Sequence, residues 1–244
     1  MFRPDPAVLV QERPAAPSKC SACAVRNSSL CGVLSDDELL ALSAISRRKV
    51  LSPGQFHVFE GDEATEFANV ISGVAKLVRG APDGRTQIVG LLFPSDFLGG
   101  TSKDSEPCSI EAASEIELCL FPRDKFRALL DTHPMLEHRL LKRTLNELQV
   151  ARDWMVLLGR KTAMERVATF LLHVSERMQN QGCGSSLVFD LPLSRTDIAD
   201  HIGLTVETVS RQVSRLRKDG IIVMEGTRRI IDIDRAALSD RAGF

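Results

Sequence analysis

Three cysteines stand close together near the start of the chain, in Cys20-Ser-Ala-Cys23-Ala-Val-Arg-Asn-Ser-Ser-Leu-Cys31-Gly. Two thiolates two residues apart can grip one metal centre, and a third eight residues later can close around it. The small and polar residues between them leave the backbone free to wrap and to donate N–H groups to sulfur. Three local ligands are an incomplete set, so a fourth must come from elsewhere. Cys108 follows a proline in an expected loop, Cys119 lies in the alternating run EIELCLFPRDKF, and Cys183 sits in a Gly-Cys-Gly turn. Spacing alone does not choose among them. A structural zinc fits a C-x2-C pair with two further ligands equally well, and a set of unrelated thiols is the plainest alternative. Metal is the better reading, because two-residue spacing is a recurrent ligand geometry.

A second constellation runs from Leu193 to Arg229, LSRTDIADHIGLTVETVSRQVSRLRKDGIIVMEGTRR. Ser194 can cap a helix with Asp197 three residues on, and Ile198, Ala199 and Ile202 form its apolar face. Gly203 stands where a tight inter-helix turn needs positive φ. Thr205 then caps a second helix whose Val206, Val209, Val213 and Leu216 recur at helical spacing. Glu207, Thr208, Ser210, Arg211, Arg215 and Lys218 are left pointing outward. Arg211 can offer a fork of donors to a guanine edge, Glu207 can accept from a cytosine amine, and Ser210 is a short adaptable partner between them. The alternation of IIVMEGTRRIIDI around Glu225-Gly226 predicts a small basic hairpin, or wing. A solvated charged face is the bland alternative, but caps, glycine turn, polar face and wing all agree on DNA.

These side chains need elements to hold them. Ser35 before three acidic residues predicts a capped helix from Leu34 onward. Between Arg48 and Phe121, turn signals at Pro53-Gly54, Glu60-Gly61-Asp62, Ser72-Gly73 and Pro82-Asp83-Gly84 break the chain into short runs, which predicts an antiparallel β-barrel or sandwich. Gly99-Gly100 reads as a strand-end turn rather than a phosphate cradle. A short helix follows over Arg123–Leu130. Pro134 then begins a long one, ended by Gly159, with Leu141, Leu145, Leu148, Met155 and Leu158 on one stripe, interrupted at Ala151 and Arg152. A long apolar stripe between two domains predicts pairing with a second copy, the alternative being a helix packed on its own barrel. TAMERVATFLLHVSERMQNQG predicts the amphipathic helix that opens the DNA-binding domain.

With 244 residues the chain can build two modest domains, and its net charge of −1 argues against indiscriminate coating of nucleic acid but not against a basic reading module. Residues 1–19 read as a loose arm. Proline and charge occupy the N-terminus where a signal peptide needs an apolar run, and no segment is apolar enough to span a bilayer. A cytoplasmic protein is expected, in which six cysteines read as metal ligands or redox thiols. The five histidines are scattered singly, and no nucleophile elbow, Walker loop or HExxH is present. No enzymatic activity is expected.

The order of parts resembles the CRP/FNR superfamily of transcription regulators over nearly the whole chain. GLTVETVSRQVSRL at Gly203 to Leu216 resembles the recognition helix of its oxygen-sensing branch, and FEGDEATEFANVISGVAKL its β-roll signature. The resemblance implies an α+β chain: an N-terminal arm and cysteine cluster (1–33), a cyclic-nucleotide-binding-like β-roll (34–133), a dimerisation helix (134–159) and a winged helix-turn-helix (160–244). In that family the E-x-x-S-R set, here Glu207, Ser210 and Arg211, reads TTGAT-type half-sites. The cyclic-AMP branch has a Gly-Glu and an Arg-Ser around the phosphate; this chain has Gly99-Gly100 and Cys108-Ser109 there, so no cyclic nucleotide is expected. Cys20, Cys23 and Cys31 match the cysteine cluster of the oxygen-sensing branch in its longer-spaced variant, and Cys119 falls at its distant fourth ligand. A [4Fe–4S] cluster is therefore implied, with a homodimer, a palindromic operator and RNA polymerase as partners. Two alternatives stand beside it. One is a FixK-type regulator without a cluster, with Cys183 as an oxidisable thiol; the other is an iron–sulfur electron carrier with an incidental helix-turn-helix.

Overall fold

A computed structural model describes residues 18–99, 105–179 and 188–243. The first 17 residues of the expected arm, Gly100 and the Cys183 turn lie outside them. A one-turn helix α1 (Ser18–Ser21) and a 3-10 turn over Leu30–Val33 lead into α2 (Asp36–Ile45). Its start is fixed reciprocally: the Ser35 hydroxyl accepts from the Glu38 amide, and Glu38 Oε2 accepts from the Ser35 amide at 2.7 Å. Eight strands follow: β1 (Arg47–Leu51), β2 (Phe56–Val58), β3 (Glu66–Ser72), β4 (Ala75–Gly80), β5 (Thr86–Leu92), β6 (Phe97–Leu98), β7 (Ser109–Ala112) and β8 (Ile116–Pro122). They form two four-stranded antiparallel sheets, β1-β8-β3-β6 and β2-β7-β4-β5.

Leu51, Ala68, Val70, Ile110, Leu118 and Leu120 fill the space between the sheets. The run Phe67–Ile71 in β3 is buried without alternation. A strand reads this way when both faces are covered. Here the second face is covered by Leu30, Leu39 and Leu42 of the cysteine segment and α2, and by α3 (Arg123–Thr132), whose Phe126 meets Phe67, Phe97 and Phe121.

Helix α4 (Pro134–Arg160) carries its proline at the first turn, where the missing N–H costs nothing. Gly159 does not end it, contrary to the sequence expectation. The Lys161 amide still bonds to the Leu157 carbonyl at 3.2 Å, and Arg166 Nη2 satisfies the Leu158 carbonyl at 2.7 Å. With the last carbonyls provided for, no left-handed glycine is required. The DNA-binding half comprises α5 (Ala163–Gln179), β9 (Phe189–Asp190), α6 (Arg195–Ile202), α7 (Val206–Lys218), β10 (Ile222–Glu225), β11 (Arg229–Ile233) and α8 (Arg235–Ala242), with sheet order β10-β11-β9. The third strand and α8 are additions to the predicted wing.

This half is seated on the β-roll by polar contacts that the sequence did not reveal. Lys76 of β4, 8% exposed, reaches Glu111 at 2.8 Å and Asp197 of α6 at 2.9 Å. Burial works against its ammonium, but those two hydrogen bonds outweigh it and hold Lys76 above its ordinary range. Gln87 Nε2 donates to the carbonyls of Asp200 and His201, and His201 Nδ1–H donates to the Ile88 carbonyl at 2.9 Å. Removing one partner of a buried pair leaves the other uncompensated. Lys76→Met is therefore expected to cost about 3 kcal/mol, and the Lys76→Met/Asp197→Asn double variant less than the sum of the singles. Urea midpoints of the four chains check this.

His173 of α5 lies edge-on to Trp154 and Phe93 in the same junction. Burial, followed by the Arg177 charge, pushes its imidazole down to about 4. The unfolded chain takes up this proton near pH 6.5 and the folded chain refuses it until about 4. The stability gained by keeping His173 neutral is thus complete above pH 6.5 and falls on acidification through that window, by about 3 kcal/mol in total. The urea midpoint should drop between pH 7 and pH 5 and drop less in His173→Gln.

Candidate functional site

Cys20, Cys23, Cys31 and Cys119 line one cavity of about 570 Å³ between the cysteine segment, α2 and the outer face of the β1-β8-β3-β6 sheet. The local fold explains how they arrive there. The Cys23 amide bonds back to the Cys20 carbonyl and Arg26 to Cys23, so the segment turns on itself. Ser29 caps the 3-10 turn, its hydroxyl accepting from the Cys31 amide at 3.3 Å. Gly32 follows because a Cβ there would lie 2.5 Å from the Asn27 carbonyl oxygen. Cys119 is held in the middle of β8, between Arg48 on β1 and Asn69 on β3. Cys108 lies outside the cavity, with Arg79, Glu60 and Glu106 as its charged neighbours.

Burial raises the Cys31 thiol, and burial together with the nearby Cys31 pushes Cys119 up to about 12. Both are protonated thiols in the metal-free chain. As they lie, no three His, Cys, Asp or Glu side chains among the described residues converge closely enough to hold a metal ion. A zinc site draws its sulfurs to about 2.3 Å from one point, whereas a cluster with four cysteine ligands spreads them over separate irons. The donor set suits the latter. Among the described residues the wall holds four thiols and no carboxylate or imidazole, and Arg26, Arg47 and Arg48 stand at its edge. Each of these arginines is paired outward, with Asp36, Glu66 and Glu117 respectively.

The cysteine segment is also tied to the rest of the molecule. Ser28 Oγ lies 2.5 Å from Ser95 Oγ, and Arg143 of α4 donates to the Ser28 carbonyl at 3.3 Å. Arg143 also reaches Asp96 at 3.0 Å, and Asp96 takes Arg177 of α5 at 2.5 Å. One carboxylate thus joins the β-roll, the long helix and the DNA-binding half. Along α4, Leu141, Leu145 and Met155 are 57%, 56% and 70% exposed, and Leu148 and Leu158 are exposed too. The stripe is not spent on the chain's own barrel.

In the second site, the Ser194–Asp197 capping box and the left-handed Gly203 at φ +63° set α6 against α7. Thr205 caps α7, its hydroxyl accepting from the Thr208 amide at 3.2 Å. Val209, Val213 and Leu216 are buried, Val206 half so. Glu207, Arg211, Arg215 and Lys218 are exposed; Thr208 and Ser210 are half-buried at their bases. Arg211 Nη2 lies 3.4 Å from the Thr208 hydroxyl, which aligns the guanidinium along the open face. The Glu207 amide, then the Thr205 hydroxyl, hold the Glu207 carboxyl below its usual range, so it is ionised and an acceptor. Arg195 Nη2 donates to the Thr227 carbonyl at 3.0 Å and fixes the wing turn against α6. The face is a set of forked donors and one acceptor on a single exposed helix, which is what reading base edges in a major groove requires.

Asn69, Asp96 and Arg143 were not singled out from sequence. Asn69 carried a signal, as a polar residue within the apolar run of β3; Lys76, in a strand that also holds Arg79, carried none. Asp96 and Arg143 carried none, since their partners are far away in sequence.

Residues 48–133 match the cyclic nucleotide-binding domain model and residues 165–241 that of the Crp-like helix-turn-helix domain. The chain is 39% identical over 239 residues to the transcriptional activator protein FnrL of Cereibacter sphaeroides, covering 97% of this chain and 96% of the relative. It is 42% identical over 205 residues to the nitrogen fixation regulation protein FixK of Bradyrhizobium diazoefficiens, covering 84% and 86%. The solved structure of FixK2 from Bradyrhizobium japonicum matches with a TM-score of 0.73 at 34% identity, over 80% of this chain and 96% of that one. The chain belongs to the CRP/FNR family of transcription regulators, built as a cyclic-nucleotide-binding-type β-roll joined to a Crp-like helix-turn-helix domain.

Proposed function

We propose that this regulator is an oxygen-responsive transcriptional activator whose DNA binding depends on a [4Fe–4S] cluster held by Cys20, Cys23, Cys31 and Cys119. The observation that carries this reading is that these four cysteines, and no carboxylate among the described residues, line one cavity wall. The similarity to FnrL, a transcriptional activator, over 97% of the chain supports the activator part of the reading. When bound, the cluster supplies a group that oxygen converts or destroys.

The chain's own residues do the rest. The cysteine segment, fixed at one end by the sulfurs, presents the Ser28 carbonyl to Arg143 and so steadies α4 against the roll. Leu141, Leu145, Leu148, Met155 and Leu158 then pair with their counterparts in a second copy. Two copies of α7 stand about one DNA turn apart and read a TTGAT-N4-ATCAA palindrome through Glu207, Ser210 and Arg211, with Thr205, Thr208 and Arg215 on the flanking backbone. A stripe broken at Ala151 and Arg152 suits a switch, because a seam of great stability could not be released by a few kcal/mol. Bound dimers contact RNA polymerase. The roll works without a cyclic nucleotide, since it lacks the phosphate-pairing guanidinium at Cys108-Ser109.

A second reading is favoured by the likeness to FixK and FixK2: the same dimer and operator, without iron. Iron and sulfide analysis with sedimentation of the anaerobically prepared chain separates the two. The cluster reading expects about four irons and four sulfides per chain and a dimer that dissociates in air. An iron-free dimer, unchanged by air, would overturn it.

A further inference from the structure

Asn69 stands on the wall of the cysteine cavity and belongs to no ligand set. It lies in mid-β3 between Ala68 and Val70, directly across from Cys119 on β8, and is 3% exposed. Its Nδ2 lies 4.0 Å from Cys31 Sγ, while its Oδ1 is buried with no hydrogen-bond partner among the described residues. A buried amide oxygen left bare is a net cost to folding. An apolar residue of the same volume would pack this strand without that cost, so the amide is poorly explained by folding alone. What it faces is sulfur. Arg26 and Arg48 at the cavity edge act on the sulfurs through charge while paired with Asp36 and Glu117, whereas Asn69 offers a neutral N–H aimed at one of them.

We infer that Asn69 is a positioning residue for the cysteine-ligated group: its amide N–H donates to the Cys31 sulfur and thereby sets how readily the bound cluster is lost. Hydrogen bonds to ligand sulfurs withdraw charge from them, and with solvent access they tune potential and lability. This inference rests on the cluster reading.

The test loads the full chain, Asn69→Leu and Asn69→Asp with iron and sulfide anaerobically, and measures iron per chain and circular-dichroism melts first. The rate of bleaching in air-saturated buffer and the midpoint potential are then recorded. Both variants are expected to bleach roughly tenfold faster than the parent, at a potential shifted downward. If Asn69→Leu does not fold, Asn69→Asp, which keeps the shape, decides alone. If Asn69→Asp folds but takes up no iron through charge repulsion, the uncharged Asn69→Ala is measured in its place. A folded, loaded variant that bleaches at the parent's rate and potential overturns the inference and leaves the cluster reading intact. A parent that takes up no iron overturns the cluster reading itself, and the inference with it.

Discussion

Cys119→Ser is expected to abolish cluster loading and, with it, operator binding by the anaerobic protein. A serine hydroxyl preserves the volume and the strand, but it is a far weaker iron ligand than thiolate. The three sulfurs of the cysteine segment then remain without the one held on β8. Loss of a supporting contact around a metal site typically costs 10–100-fold, and loss of a direct ligand should exceed the upper figure, at least about a hundredfold in iron retained. Cys20→Ser, Cys23→Ser and Cys31→Ser should behave alike. Cys108→Ser should keep both iron and DNA binding, because Cys108 faces Arg79 and Glu60 outside the cavity. Iron content and a gel-shift titration under nitrogen check all five variants. If the four serine variants bind operator as the parent does, the regulator is FixK-like and the cysteines are not its sensor.

Arg211→Ala is expected to cost about 1–3 kcal/mol per half-site, and so about 2–6 kcal/mol for a dimer on a palindrome. The loss should fall on sequence discrimination: the variant should no longer distinguish a guanine from its replacements at the position that Arg211 reads. The reason lies in the geometry. Arg211 projects from the exposed face of α7 with its fork aligned by Thr208, and the buried Val209 and Val213 on either side in sequence lock the helix rotation. Arg215→Ala, a turn further along, should instead weaken all sequences about equally and lower the salt dependence by about one ion per half-site. Fluorescence anisotropy on the TTGAT duplex and on single-base variants, at two salt concentrations, separates the two effects.

The helix-turn-helix was legible because every signal in it is local. Caps at Ser194 and Thr205, the glycine at 203 and the spacing of Val209, Val213 and Leu216 lie within a few residues of one another and act together. The β-roll was legible as a class from its turn residues, but not in its pairing. The junction was not legible, because Lys76 meets Asp197 across 121 residues and Gln87 meets Asp200 across 113. Gly159 misled because a glycine near a helix end ordinarily stops it, and here Arg166 supplies the missing donors. For the cysteines, spacing left the fourth ligand open among Cys108, Cys119 and Cys183. The fold brings Cys119 to the other three by pairing β8 with β1 and β3, which no spacing rule contains.

The most direct measurement is binding of the anaerobically purified full chain to a TTGAT-N4-ATCAA duplex, before and after exposure to air, with the visible spectrum recorded alongside. The account predicts a brown protein that binds the duplex and loses colour and affinity together in air. A colourless protein that binds equally well in both states would contradict it.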